Sequence, residues 1–375
     1  MSFESISASA RDILDALAES NADFIPASPT DEPPVEAEPA DPDRVRDDAH
    51  FESDNVCVTY EPVDRFRPVM SIPVGPPVTR SEDHVFRYFL DGSLRTYYWG
   101  DVVVSTYSYP VLVSEIAVSA LKRDREGFMH PHTTVHQVIA IFPFTRGVIR
   151  DVLEGRVLDA MKPVFLEKEP DSKRDLRSVL AAKAREQLHV LEVEVAVNLP
   201  GRENGEWLVI DGDIRHSSFL SLKNVVGLAK SFSWKPVIEI EGSHYRFTLP
   251  WVIQRLREGE RTPVLRKKSD EYPSLAFWYL RLWPVDRLDN YMQGVVKVEV
   301  VMEGEWSEEK RALADRLSRA LLAERLPTIY PMRRWHSHIY PIYQAETHVK
   351  GTLYSPQVMR QILFTRRRSG SIASR

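Results

Sequence analysis

The chain has 375 residues, of which 43% are hydrophobic and 27% charged, the proportions of a globular protein rather than of a fibrous or wholly disordered one. No run approaches the roughly 18 uncharged apolar residues of a membrane span, and the opening MSFESISASARDIL lacks the basic and apolar regions of a secretory signal, so a cytoplasmic protein with no membrane association is expected. A single cysteine, Cys57, excludes a disulfide framework and a thiolate-rich zinc site.

The net charge of -5 is unevenly distributed. Residues 1–50 carry 13 acidic and three basic residues, a net of -10, which leaves a body of +5 able to approach a polyanion. Within an acidic arm placed at 1–54, Ile6, Ile13, Leu14 and Leu17 recur at near-helical spacing and predict a short amphipathic helix over 3–19. Residues 26–50 hold six prolines and little apolar surface, the composition of a disordered linker. The arm is expected to be a solvated tail, or else a docking peptide or a DNA mimic guarding a basic groove.

From about residue 55 short apolar runs predict strands: VFRYFL at 85–90, two or three within 94–123, and VHQVIAIFPF at 135–144. A helix is expected from about 172 to 198, where Gly and Pro are absent inside, followed by a buried strand at 207–211. NVVGLAKSFSW reads as a tight packed turn, 277–283 and 294–302 as antiparallel strands, and 307–326 as a helix capped by Ser307. The order predicts an α/β fold, with a folded domain at 55–365 and a basic tail at 366–375.

Two apolar strands end in Asp-Gly: Asp91-Gly92 and Asp211-Gly212. Asp-Gly is a common hairpin turn. Carboxylates at the ends of neighbouring central strands, however, converge at one place on a sheet, where a divalent cation relieves their repulsion. Glu115, in VLVSEIAV, is a further carboxylate near an apolar run.

In order along the chain, YFLDGS, the long helix, WLVIDGD, NVVGLAKS and the closing series Tyr340-Pro341-Ile342-Tyr343-Gln344-Ala345-Glu346-Thr347-His348 resemble the motifs of the NurA nucleases, over roughly residues 80–355. The resemblance implies an RNase H-like mixed sheet flanked by helices, and a DNA exonuclease and single-strand endonuclease dependent on Mn²⁺ (or Mg²⁺). It further implies a homodimer that works with a hexameric HerA-type ATPase in DNA-end processing. Carried over by motif, Asp91, Asp211 and His348 would be metal ligands or their neighbours, and Tyr340 would orient substrate or water. The family also uses a glutamate of the helix before the second Asp strand; Glu186, Glu192 and Glu194 are available, and counting back from Leu199-Pro200 favours Glu186, with Glu192 second. Lys230 is a candidate for the scissile phosphate. Arg266 and Lys267, in the basic, loop-like run 255–270, are candidates for further DNA contacts.

Two competing readings come from the residues themselves. His130-x-His132 and His336-x-His338 are spaced as strand pairs of zinc ligands, although Pro131 makes the first segment read as a loop. The whole chain is alternatively a non-catalytic adaptor that docks on a ring ATPase or on DNA, with its acids structural.

Overall fold

The computed structural model describes residues 2–27, 35–36, 56–78, 84–169, 175–202, 205–214, 216–268, 274–327 and 335–364. Its strands are β1 (Asp23–Pro26), β2 (Val35–Glu36), β3 (Val56–Thr59), β4 (Ile72–Pro73), β5 (Phe86–Val104), β6 (Tyr107–Arg123), β7 (Met129–Phe142), β8 (Lys162–Phe165), β9 (Trp207–Asp211), β10 (Val225–Ala229), β11 (Val237–Glu239), β12 (Arg246–Thr248), β13 (Glu260–Arg261), β14 (Leu265–Lys267), β15 (Leu275–Arg281) and β16 (Val295–Val301). The helices are α1 (Phe3–Glu19), α2 (Val148–Glu154), α3 (Leu176–Val197), α4 (Ser217–Leu220), α5 (Leu249–Ile253), α6 (Glu308–Glu324), α7 (Tyr340–Thr352) and α8 (Pro356–Phe364).

One large mixed sheet runs β12-β11-β3-β14-β15-β16-β10-β9-β5-β6-β7-β8. β5, β6 and β7 are long antiparallel strands. The β5–β6 hairpin turns through Ser105, whose φ of 56° supplies the left-handed conformation that such a tight connection needs. After the α3 crossover, β9 returns parallel to β5, and β10 lies parallel to β9, so the chain's central three strands point the same way.

Alternation along these strands assigns the two faces. Phe89, Val209, Val226 and Leu228 pack on Leu317 and Leu321 of α6 and Ile342 of α7. Tyr88, Leu90, Leu208 and Ile210 meet Leu180, Ala184 and Leu191 of α3 on the other side. α3 starts cleanly because Asp175 accepts a hydrogen bond from Ser178 N at 3.1 Å, and Ser307 caps α6 in the same way, as the sequence predicts.

Several expectations are corrected. NVVGLAKSFSW contains β10, a fully buried central strand, rather than a turn; its Val-Val-Gly-Leu-Ala run reads as a turn only because it is short and holds a glycine. HPHTTVH lies within β7 despite Pro131, with the local register shifted opposite Ala120 and Leu121. The run 255–268 supplies β13 and β14 instead of an open basic loop. The helix of the N-terminal arm exists, but it is not detached: Ile6, Ile13 and Leu17 are fully buried with Trp99 of β5 and Met359 and Ile362 of α8. Most of the expected linker, and the 366–375 tail, lie outside the described residues. Among the described residues no helix is long and apolar enough to cross a membrane.

Candidate active site on the central strands

The register of the parallel strands brings the two Asp-Gly carboxylates together. Leu90 pairs with Ile210 and Asp211 pairs with Leu228, so Asp91 and Asp211 are lateral neighbours, and Lys230 follows two residues beyond Leu228 on the same face. All three point to the side covered by α6 and α7. The Asp91 and Asp211 side chains are close enough for each to bear on the ionisation of the other. Asp91 accepts from Gly92 N at 2.9 Å. Lys230 Nζ stands 2.6 Å from Asp211 Oδ2 and 3.8 Å from Glu346 Oε2, and its side chain is 10% exposed.

Burial and the neighbouring charges act on each carboxyl in turn. Burial pushes the Asp91 carboxyl well above the usual carboxylate range; the Asp211 charge adds to this, Lys230 opposes it, and Glu346 and Glu192 raise it further. Asp211 is also raised by burial, against the pull of Lys230. In Glu346 burial again acts upward but is outweighed by Lys230, Lys350 and His338, so this carboxyl stays below its ordinary value. Three carboxyls thus face one buried ammonium, and Asp91, the most enclosed of them, is the one pushed well above the usual carboxylate range.

The fourth carboxylate arrives from the opposite face of the sheet. Glu192 on α3 reaches over Gly92: a Cβ at that glycine would stand 2.3 Å from Glu192 Oε1 and 2.9 Å from Leu188 Cδ1. The expected Asp-Gly strand end holds for Asp211, the last residue of β9, but not for Asp91: Asp91 and Gly92 lie inside β5, which continues to Val104, and Gly92 is the opening through which Glu192 approaches that strand. Glu192 is raised by burial, against the hydrogen bond from His189 Nδ1 at 3.3 Å, while Asp211 and Asp213 raise it further. Gly92→Ala is expected to destabilise the fold by about 1–3 kcal/mol through overpacking, measured by urea denaturation.

Of the residues predicted for the site, Asp91 and Asp211 come together, and Lys230 joins them as an ion-pair partner. Glu186 does not: it pairs with Lys183 at 2.6 Å and its side chain is 54% exposed, whereas Glu192, six residues later, is the α3 glutamate at the cluster. The helix ends at Val197, so the contributing glutamate lies about one and a half turns from its end and not three. Glu194 is exposed. His348 stands over β7, where its Nε2 lies 3.4 Å from Thr134 Oγ1; Thr134 in turn bonds Ser119, the residue opposite Asp91. The hydrogen-bond partner of the imidazole is thus on β7, two strands from Asp91, with Ser119 of β6 between them. Tyr340 is half exposed at the start of α7, its hydroxyl accepting from Gln344 Nε2 at 2.8 Å.

Arg266 and Lys267 lie on β14, five strands from β5 along the sheet. Arg266 donates to the carbonyls of Met302 and Gly304 and stacks 3.5 Å above the Tyr60 ring. The histidine pairs do not form a zinc site: His130 bonds Asp124, His132 bonds the Pro200 carbonyl, and His336 Nδ1 accepts from Gly294 N. Glu115 is buried and fastens the chain after α7, accepting from Tyr354 N at 2.6 Å and pairing with His136. Glu346 and His338, 3.9 Å apart, are the members of the cluster that motif reasoning passed over. Both lie in the closing segment, but alternation of apolar residues does not distinguish them.

The donor set suits a hard divalent cation in type, since it consists of buried carboxyls, one of which, Glu346, leaves Oε2 without a hydrogen-bond partner. Its arrangement is that of a charge cluster already holding a cation of its own. Among the described residues, no three His, Cys, Asp or Glu side chains are positioned to hold a metal ion together. No family model matches the chain, and no curated protein matches it.

Proposed function

We propose that this protein is a metal-dependent DNA nuclease of the NurA kind, with an RNase H-like fold, that hydrolyses phosphodiester bonds at DNA ends. The observation that carries this reading is the Asp91–Asp211 pair at the junction of two parallel central strands, with Glu192 and Glu346 within electrostatic reach. The order β7-β6-β5-β9-β10, in which only β6 runs against the others among the chain-central strands and their neighbour β7, supports the fold assignment.

Asp91 and Asp211 would hold Mn²⁺ or Mg²⁺, with Glu346 and Glu192 the nearest further carboxylates. The cation supplies Lewis-acid activation of water and neutralises charge on the phosphate. The chain's own contribution is a buried locus in which electrostatic interactions are strong. His348 acts from outside this group, and Lys230 is the candidate phosphate contact once a cation takes over its partners. Homodimerisation and a HerA-type ATPase partner belong to the same proposal and rest on the motif resemblance.

The second reading, a non-catalytic adaptor, is favoured by one observation: Lys230 already neutralises the cluster at 2.6 Å from Asp211. Incubation of the purified protein with linear duplex and single-stranded DNA separates the two. Cleavage with Mn²⁺ and none with EDTA is expected. Inertness toward both DNAs, with a HerA-type ATPase added as well, rejects the nuclease and leaves the adaptor.

A further inference from the structure

A cavity of about 590 Å³ lies away from the carboxyl cluster, between the start of β5, the β6–β7 turn, the end of α6 and the start of α7. Its walls combine three features. Arg123, Arg125 and Arg325 line it, against the carboxylates of Glu126 and Glu324. Arg123 has only 6% of its side chain exposed; both terminal nitrogens are held by Glu324, while its Nε has no hydrogen-bond partner. Two rings also line it: Phe128, 63% exposed, and Tyr340, 45% exposed.

The amino end of α7 borders the same space through Tyr340, its first residue, and Ile339 at the cap position gives no side-chain hydrogen bond to the helix. An uncapped helix start carries partial positive charge and N–H groups without intrahelical partners. Guanidinium groups, among them the exposed Arg125, therefore meet a helix start and two accessible aromatic faces within one cavity.

We propose that this cavity binds a nucleoside phosphate: the phosphate beside Arg125 and the amino end of α7, and the base against Phe128 and Tyr340. Arginine recognises phosphate through its planar fork, and aromatic side chains stack on any base. The ligand is either a free nucleotide or the terminal nucleotide of a DNA strand, and the strand-end form rests on the nuclease reading. In that form the geometry has a consequence for cleavage. Tyr340 and Glu346 are six residues apart on one helix, about 9 Å along its axis, so a strand end held in the cavity presents a bond close behind its terminus to the carboxyls.

Binding is measured in EDTA, by calorimetry with a deoxynucleoside monophosphate and with inorganic phosphate, and by fluorescence anisotropy with a short single-stranded oligonucleotide bearing or lacking a terminal phosphate. The phosphorylated ligand is expected to bind more tightly than the unphosphorylated one. Arg125→Ala and Phe128→Ala, both at exposed positions, should each weaken it about tenfold, the size of a lost charge-assisted hydrogen bond or stacking contact. Binding of the mononucleotide alone assigns the cavity to free nucleotides; tighter binding of the phosphorylated oligonucleotide assigns it to strand ends. Equal affinity of both variants and wild type, or an indifference of the oligonucleotide to its terminal phosphate together with no binding of the mononucleotide, overturns the proposal. Asp211→Asn should bind as wild type does, so loss of the nuclease activity and loss of the cavity's ligand are read separately.

Discussion

Asp91→Asn is expected to abolish Mn²⁺-dependent cleavage of DNA and at the same time to stabilise the protein. The first effect should be at least about a hundredfold in rate, since a group that holds charge in a water-poor site is removed. The second follows from the folded state. Burial and the neighbouring Asp211 raise the Asp91 carboxyl well above its ordinary value, so folding favours its protonated form. A carboxyl shifted in that direction contributes stability that is complete below the ordinary carboxylate pKa of about 4 and is lost as the pH rises toward the folded value. Asparagine does not ionise and keeps the hydrogen-bonding capacity. The variant and the wild type should therefore have similar stability in acid, with the variant gaining progressively as pH rises.

Denaturation midpoints at pH 4, 6 and 8 measure this divergence. A variant that is destabilised in parallel at every pH would show that Asp91 is an ordinary structural acid. Asp211→Asn should lose cleavage equally but lose stability too, because it takes the 2.6 Å partner from Lys230. Two neighbouring aspartates with the same loss of activity and opposite effects on stability is a pattern that a purely architectural ion cluster does not produce.

Lys230→Met should have the largest effect on stability without metal. The ammonium is the positive charge that Asp91, Asp211 and Glu346 share, and its own pKa is raised by those three despite the opposing effect of its burial. Removing it leaves buried negative charge uncompensated, a loss of about 3–5 kcal/mol. If a divalent ion occupies the same locus, Mn²⁺ should restore much of that loss by binding only the folded state, and the variant should bind Mn²⁺ more tightly than wild type. Thermal melts in EDTA and in Mn²⁺, with calorimetric titration of the ion, are the measurements. A destabilised variant that Mn²⁺ leaves unchanged would indicate that the carboxyls do not bind cations.

Much of this site is legible in the sequence, and the parts that are not have specific causes. Asp91 and Asp211 stand out because each ends an apolar alternation that fixes its face, and a parallel crossover then sets them side by side. The choice between Glu186 and Glu192 depends on which turn of α3 passes Asp91. Helix periodicity does not supply that, but Gly92 does, because it leaves space at that point on the strand. His348 is misplaced by its motif because its position on α7 turns it toward Thr134, while Glu346, two residues earlier, turns toward Lys230. The overall strand order is less accessible. β10 is five residues long and holds a glycine, and is held on both sides by β9 and β16; β7 carries a proline, and is held by its pairing with the long β6.

The docking of α1 also sets a boundary on how the protein is divided. The first helix and the last share one apolar seam: Ile6, Ala10, Ile13 and Leu17 lie with Met359 and Ile362, and the indole of Trp99 donates to the Leu363 carbonyl at 3.2 Å. A chain begun at residue 55, where composition turns from acidic to mixed, would strip this seam and bare Trp99 and the apolar flank of α8. The molecule's closure thus depends on a meeting between the two helices that stand farthest apart along the described sequence.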